Sequence, residues 1–331
     1  MSHRAVVLEV KNLKKHFPIK GGVFKTTQGH VKAVNGISFS IKENETFSIV
    51  GESGCGKSTA GRTILRLLEP TEGEVWFNGE NLYDINKKEF RKRRKDFQLI
   101  FQDPYSSLNP RMNVKELLIE PLLTHQMCPK KEAVQRAGEM IEKVGLSKKQ
   151  LEKYPHEFSG GQRQRISIAR ALIVHPKLVI LDEAVSALDV SVQSQILNLL
   201  IDLQEEFNLT YIFISHDLNV VKHLSDRVGV MYLGQMMELA ETDELYDYPL
   251  HPYTRALLSA IPSLSTTEKK ERIILKGDVP DPSNPPSGCP FRLRCPHAHE
   301  RCVKENPIFQ EAKEGHWVAC HLYDEQDETI I

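Results

Sequence analysis

The stretch Gly51, Glu52, Ser53, Gly54, Cys55, Gly56, Lys57, Ser58, Thr59 constrains this chain more than any other. It fits G-x-x-x-x-G-K-[ST], a loop that holds a nucleotide triphosphate. Thr46–Val50 before it predicts a short buried strand, and Ala60–Leu68 after it predicts a helix with apolar residues at helical spacing. Glycines let the backbone curl so that successive N–H groups face phosphate oxygens. The helix N-terminus adds roughly half a positive charge. Lys57 supplies a full charge for the outer phosphates, and Ser58 a hydroxyl for magnesium. A glycine turn with a chance lysine lacks the flanking strand and helix.

At 331 residues, one large domain plus an appendage is expected. Lys+Arg of 43 against Asp+Glu of 44 leaves no basic excess, which argues against nucleic acid as a partner. No apolar run approaches the ~18 residues of a membrane span. The N-terminus breaks its apolar stretch at Glu9 and lacks a signal core, so cytosolic exposure is expected. In that setting clustered cysteines usually mean metal or catalysis.

Val6–Val10 and Ala33–Ile41 predict strands of an N-terminal β layer, with a loop over roughly Pro18–His30 between them. Glu74–Phe77 and Phe97–Phe101 predict further strands. From Asn113 to Val144 the apolar spacing turns helical, an insert in an alternating β/α chain. Leu178–Leu181 and Tyr211–Ile214 are short continuous apolar runs, the mark of central parallel strands. Ile196, Leu199, Leu200, Leu203 and Phe207 predict the crossover helix between them. Ser263–Lys270 reads as a polar linker, and Asp278–Gly288 is too rich in Pro and Ser for regular structure. The basic block Lys87–Lys95 reads as a solvated helix face rather than a lipid or nucleic-acid contact.

Asp182 and Glu183 end an apolar strand. Beside a phosphate loop, an acid so delivered holds magnesium, here Asp182. Glu183, pointing the other way, can orient or deprotonate the attacking water. His216 and Gln102 also follow strands, where ligands bind in open α/β sheets. His216 can hydrogen-bond the γ-phosphate, and Gln102 can reach magnesium or the water. Ser159, Gly160, Gly161 and Gln162 open a helix as a second anion cradle. Two cradles with one lysine point to half-sites completed in a dimer.

Taken in order, Gly51–Thr59, Gln102, Ser159–Gln162, Asp182 with Glu183, Ser186 through Asp189, and His216 resemble the ATP-binding subunit of ABC transporters over about residues 4–250. The resemblance implies an α/β P-loop NTPase fold of the ABC type: a domain over 1–250 with an N-terminal antiparallel β layer and a helical subdomain at about 111–165. A small irregular, Cys-rich C-terminal extension is expected over 251–331. It implies ATP and Mg2+, with Ser58, Gln102 and Asp182 toward the metal, and Glu183, His216, Lys57 and Gln102 in catalysis. Ser159–Gln162 resembles the signature that contacts ATP on the opposite subunit, and Asp189 the D-loop aspartate. Phe17 resembles the aromatic that stacks on adenine, with a core phenylalanine as the other reading. Tyr154–Glu157 resembles the segment that senses membrane subunits. Phe158 replaces a usual Leu. Ala184 replaces a usual Pro, which leaves Glu183 less stiffly held.

His251–Pro262 and Asn284–Phe291 resemble the C-terminal region of oligopeptide/dipeptide-type importers, and the chain looks like the second of their two ATPase subunits. The implied role is ATP-driven peptide import from the cytoplasmic membrane face, as a peripheral subunit. The implied partners are a homologous ATPase subunit, two transmembrane permease subunits and an extracytoplasmic peptide-binding protein. Nickel or glutathione uptake, or a soluble ABC ATPase, are the alternatives. Cys289, Cys295, Cys302 and Cys320 cluster, without the paired C-x2-C of most structural zinc sites. A [4Fe–4S] cluster, zinc and plain thiols all remain open to those residues, and the resemblance favours the cluster.

Overall fold

A computed structural model describes residues 4–21, 26–103, 107–261 and 272–324. The linker expected at Ser263–Lys270 lies outside them. The chain divides into two compact units. One comprises Lys42–Thr46 and Leu82–Ile214 with the residues up to Ala5; the other comprises Val6–Ile41, Phe47–Asn81 and the chain from Ser215 onward.

In the first unit, strands Phe97–Ile100, Leu178–Asp182 and Thr210–Ile214 lie parallel in that order. Leu178 pairs with Phe97 on one side and Thr210 on the other; Asp182 reaches Ile214. Every residue of the latter two strands is buried, as their continuous apolar runs require. Helix Val190–Phe207 makes the crossover, burying Ile196, Leu199, Leu200 and Leu203. Helices Val114–Thr124 and Lys130–Lys143 form the helical insert; Asn113 and Glu116 close a capping box on the first. The basic block folds as helix Lys87–Arg93 with only Phe90 buried, the solvated face its composition predicts.

In the second unit, Thr26–Lys42, Val6–Gly21, Glu72–Phe77 and Glu80–Asn81 form a sheet in that order. Of the loop expected over Pro18–His30, residues 18–21 and 26–30 are strand, since Val6–Gly21 and Thr26–Lys42 run on to residues 21 and 26, and residues 22–25 lie outside the described ones. Pairing between neighbouring strands overrides the weak local signal of a segment mixing glycine with lysine. Strands Arg227–Tyr232 and Gln235–Glu241 form an antiparallel hairpin beside the parallel strand Thr46–Val50. The chain near its end adds strands Gln310–Lys313 and His316–Val318 to the hairpin's outer side, through Glu238↔Val318 and Leu239↔Trp317. The extension is therefore irregular only in part. Among the described residues no helix is long and apolar enough to cross a membrane.

Candidate nucleotide site

The loop after strand Thr46–Val50 curls because three of its glycines take positive φ, at 149° for Gly51, 78° for Gly54 and 104° for Gly56. A Cβ at Gly51 would lie 2.2 Å from the Met231 carbonyl, and one at Gly56 2.0 Å from that of Ala33. No other residue fits at either position. Helix Lys57–Ile64 starts directly from Gly56 without a side-chain cap, so its first N–H groups face the loop. Lys57 is 4% exposed, and its ammonium donates to the carbonyls of Gly51 (2.8 Å) and Glu52 (3.1 Å). Cys55 is buried with its sulfur 3.8 Å from Lys57 Nζ, and burial raises its thiol pKa. Gly234 N–H donates to Cys55 O at 2.9 Å, fixing the back of the loop. An amide-lined turn around a buried ammonium is an anion receptor.

Sequence reasoning missed two further residues here. The Glu52 N–H donates to Tyr253 Oη at 2.9 Å, and Arg294 Nη1 donates to both Glu52 carboxylate oxygens at 3.0 and 2.9 Å. They lie 201 and 242 positions downstream, beyond the reach of any local motif.

In the first unit, Asp182 ends its strand 3% exposed. Glu183 follows in the left-handed region at φ 50°, a strained conformation for a residue with a Cβ. Its N–H donates to Ile214 O at 2.9 Å, and its carbonyl accepts from the Ser186 N–H (3.1 Å) and hydroxyl (2.9 Å). Gln102 Nε2 donates to the Glu183 carboxylate at 2.9 Å and to Ser186 Oγ at 3.4 Å. Ala184 beside it is buried, and these hydrogen bonds hold Glu183 at its backbone and its carboxylate. The strain at Glu183 has no sequence signature. The Gln102 amide oxygen and the Asp182 carboxylate of this unit, and separately the Ser58 hydroxyl of the other, are hard oxygen donors of the kind magnesium takes.

Ser159 caps helix Gly160–Leu172 through a capping box with Gln162. The serine is exposed. A Cβ at Gly161 would lie 2.4 Å from Val192 Cγ1, so glycine is what lets the two helices approach. Asp189 is the N-cap residue of helix Val190–Phe207, without a side-chain cap bond, and Val190 beside it is 80% exposed. His216 is exposed after Ser215, whose N–H donates to Ile49 O at 3.3 Å. Phe17 is half-buried on strand Val6–Gly21 with the Lys15 ammonium 5.0 Å above its ring, a surface aromatic and not a core one. Tyr154, 41% exposed, stacks on His156 at the turn Pro155–Glu157.

Four of the six cysteines, Cys289, Cys295, Cys302 and Cys320, lie beyond residue 250. All are free; Cys289, Cys302 and Cys320 are buried and Cys295 partly so. Among the described residues, no three His, Cys, Asp or Glu side chains are grouped so as to hold a metal ion. The expected [4Fe–4S] cluster and its zinc alternative thus lack a closed ligand set. Burial pushes the Cys289 thiol up to about 11 and the Cys320 thiol up to about 12.

Known proteins bear on this arrangement. Residues 34–186 match the family described as ABC transporter, and residues 237–302 match the oligopeptide/dipeptide transporter C-terminal region. The chain is 55% identical over 325 residues to the oligopeptide transport ATP-binding protein AppF of Bacillus subtilis (strain 168), covering 97% of this chain and 99% of that one. It is 48% identical over 318 residues to the dipeptide transport ATP-binding protein DppF of Haemophilus influenzae, covering 96% and 97%. Among solved structures, the ATP-binding cassette MJ0796, a post-hydrolysis dimer bound to ADP and Pi, aligns with TM-score 0.63 at 31% identity over 71% of this chain and 98% of that one. CbiO1 of Clostridium perfringens, part of the CbiONQ transporter complex, aligns with TM-score 0.63 at 29% identity over 74% and 92%.

Proposed function

The chain belongs to the ABC transporter family of ATP-binding proteins, and from that premise we propose that it hydrolyses ATP to power the import of di- or oligopeptides. One observation carries the peptide assignment: the likeness to oligopeptide and dipeptide transport proteins runs the full length, C-terminal region included.

The roles proposed for individual residues follow from their chemistry. The N–H groups of Gly51–Thr59 bind the triphosphate, and Lys57 attracts its outer phosphates. Ser58, Asp182 and Gln102 offer oxygen to magnesium, which when bound neutralises charge on the β- and γ-phosphates. Glu183, strained and held at both backbone ends, takes the proton of the attacking water. His216 senses the γ-phosphate, and Phe17 offers its open ring face to adenine. Ser159–Gln162 and Asp189 are read as the face turned to nucleotide on a second ATPase subunit; the exposure of Ser159 and Val190 supports this.

The proposed domain division is an ATPase domain over 1–250, with its helical subdomain at about 111–165, and a transporter-specific extension over 251–331. The proposed partners are a homologous ATPase subunit, two permease subunits contacted through Tyr154–Glu157, and an extracytoplasmic peptide-binding protein. The chain would then sit peripherally on the cytoplasmic membrane face. A role for Cys289, Cys295, Cys302 and Cys320 as ligands of an iron–sulfur centre is supported by their clustering in sequence alone. Iron and sulfide analysis after anaerobic purification decides it: about four irons per chain would establish the centre, and none would leave four thiols.

Uptake of labelled peptides in a strain lacking this chain tests the whole reading. Wild-type protein restores uptake and Lys57→Ala does not. Equal restoration by both would overturn it.

A further inference from the structure

Glu52 is the second residue of the phosphate loop, and it puts a carboxylate among groups that receive a polyanion. Each of its polar groups is tied. The N–H donates to Tyr253 Oη, the carbonyl accepts from Lys57 Nζ (3.1 Å) and the Cys55 N–H (3.3 Å), and the carboxylate accepts from Arg294. Two of these anchors, Tyr253 and Arg294, come from the chain beyond residue 250.

Both are delivered stiffly. Tyr253 is fully buried in helix Pro252–Ser259. Phe291, 1% exposed, packs edge-on or tilted against Tyr232, Tyr253 and His251 at centroid distances of 5.3, 5.3 and 5.5 Å. The Arg294 N–H donates to Phe291 O at 3.0 Å, and the Cys289 N–H to Cys302 O at 2.9 Å, closing the turn that carries the guanidinium. The side chains of Arg294 and Glu52 are 10% and 24% exposed, so water screens their attraction only partly.

We infer that Arg294 and Tyr253 are positioning residues of the nucleotide loop. Tyr253 holds the first turn of the loop through the Glu52 N–H. Arg294 cancels a carboxylate charge that would otherwise repel the triphosphate. The C-terminal extension thereby becomes part of the nucleotide site, a role separate from any contact with transport partners. The inference rests on the ATP-binding reading above, and the experiment separates the two.

The full-length chain is titrated with a fluorescent ATP analogue and magnesium, and KM and kcat are measured in the assembled transporter. Arg294→Ala weakens nucleotide affinity about tenfold with kcat within about twofold, the scale of one unpaired charge. Arg294→Lys, which keeps the charge, stays within about threefold of wild type. The double variant Glu52→Gln with Arg294→Ala regains most of the loss, because no carboxylate is left to repel. Tyr253→Phe weakens affinity about threefold. A purely structural arginine would lower the thermal midpoint with no recovery in the double variant. Unchanged affinity in Arg294→Ala, or a double variant as weak as the single, overturns the inference. Should Arg294→Ala fail to fold, Tyr253→Phe and the double variant decide the question in its place: wild-type affinity in the first, or a tenfold loss in the second, overturns the inference equally. Wild-type chain that binds no analogue, or Lys57→Ala that binds as well as wild type, sinks the ATP-binding reading itself.

Discussion

The nucleotide-facing motifs and the C-terminal extension are held by different physics. Motif residues stand on backbone geometry: Gly51, Gly54 and Gly56 at positive φ, Glu183 in the left-handed region, and Ser159 in a capping box. Each motif is contiguous in sequence, although Gly51 and Gly56 also pack against the distant carbonyls of Met231 and Ala33. The extension is held by buried polar side chains that meet partners far along the chain. Glu238, fully buried, accepts from the Leu250 N–H (2.6 Å), the His251 N–H (2.9 Å) and His316 Nε2 (2.7 Å). His316 is itself 1% exposed in the strand that joins Gln235–Glu241. Local geometry sets the chemistry, while long-range charge and hydrogen bonding seat the extension.

If that contrast holds, the largest stability effect belongs to the extension. His316→Ala leaves the buried Glu238 carboxylate without its ring partner and empties the imidazole's place. The expected cost is about 4 kcal/mol, the range for breaking a buried polar pair. Chemical denaturation of the purified chain measures it. A cost below ~1 kcal/mol would mean that the backbone donors alone satisfy Glu238, and the contrast would fail.

Acid should strike the same region. Burial lowers the His251 pKa from 6.5 to about 4; Glu238 opposes that shift and Arg255 adds to it. His251 Nδ1 accepts from the Tyr253 N–H at 3.0 Å, so the folded ring is neutral and carries its proton on Nε2. The unfolded ring takes up a proton as pH falls through 6.5, whereas the folded ring resists to about 4. Stability from this group is therefore full above pH 6.5 and is lost as pH falls toward 4, by up to ~3 kcal/mol. His251→Asn retains a helix-capping acceptor and removes the titration. Its unfolding free energy should be flatter than wild type between pH 6.5 and 4. Parallel curves would assign the acid sensitivity elsewhere.

The motif side makes the complementary claim, an effect on rate with little effect on stability. Glu183→Gln should slow hydrolysis at least about a hundredfold, roughly 2.7 kcal/mol of barrier, while nucleotide still binds. Single-turnover assays of the assembled complex check this. Near wild-type turnover would remove Glu183 as the base.

How much of this the sequence foretold follows the same division. The phosphate loop, the acids after Leu178–Leu181 and the parallel strands were legible because each is coded by contiguous residues at fixed spacing. The strand character of residues 18–21 and 26–30 was not, since pairing between strands Val6–Gly21 and Thr26–Lys42 outweighs a weak local signal. The anchoring of Glu52 by Tyr253 and Arg294 left no trace in any local window. The cysteine spacing raised an expectation of a metal centre for which no group of ligands is found among the described residues. Spacing along a chain fixes neither the direction in which side chains point nor how tightly they converge.

The smallest effect probes where the two modes of support meet in one residue. Ser159 caps helix Gly160–Leu172, its hydroxyl accepting from the Gln162 N–H at 3.4 Å while the Gln162 side chain accepts from the Ser159 N–H at 3.1 Å. That long bond marks a modest structural role, and the exposed hydroxyl is proposed to serve nucleotide on a partner subunit. Ser159→Ala should therefore cost only about 1 kcal/mol of stability, the usual loss for a helix cap. Its effect on turnover should appear only when the partner subunit is present. Ser159→Asp keeps a capping acceptor and so should recover stability. It should not recover turnover, because a carboxylate there repels the phosphates it would face. Recovery of both by Ser159→Asp would show that the serine matters only as a cap, and that the exposed face opened by this helix does no work on nucleotide.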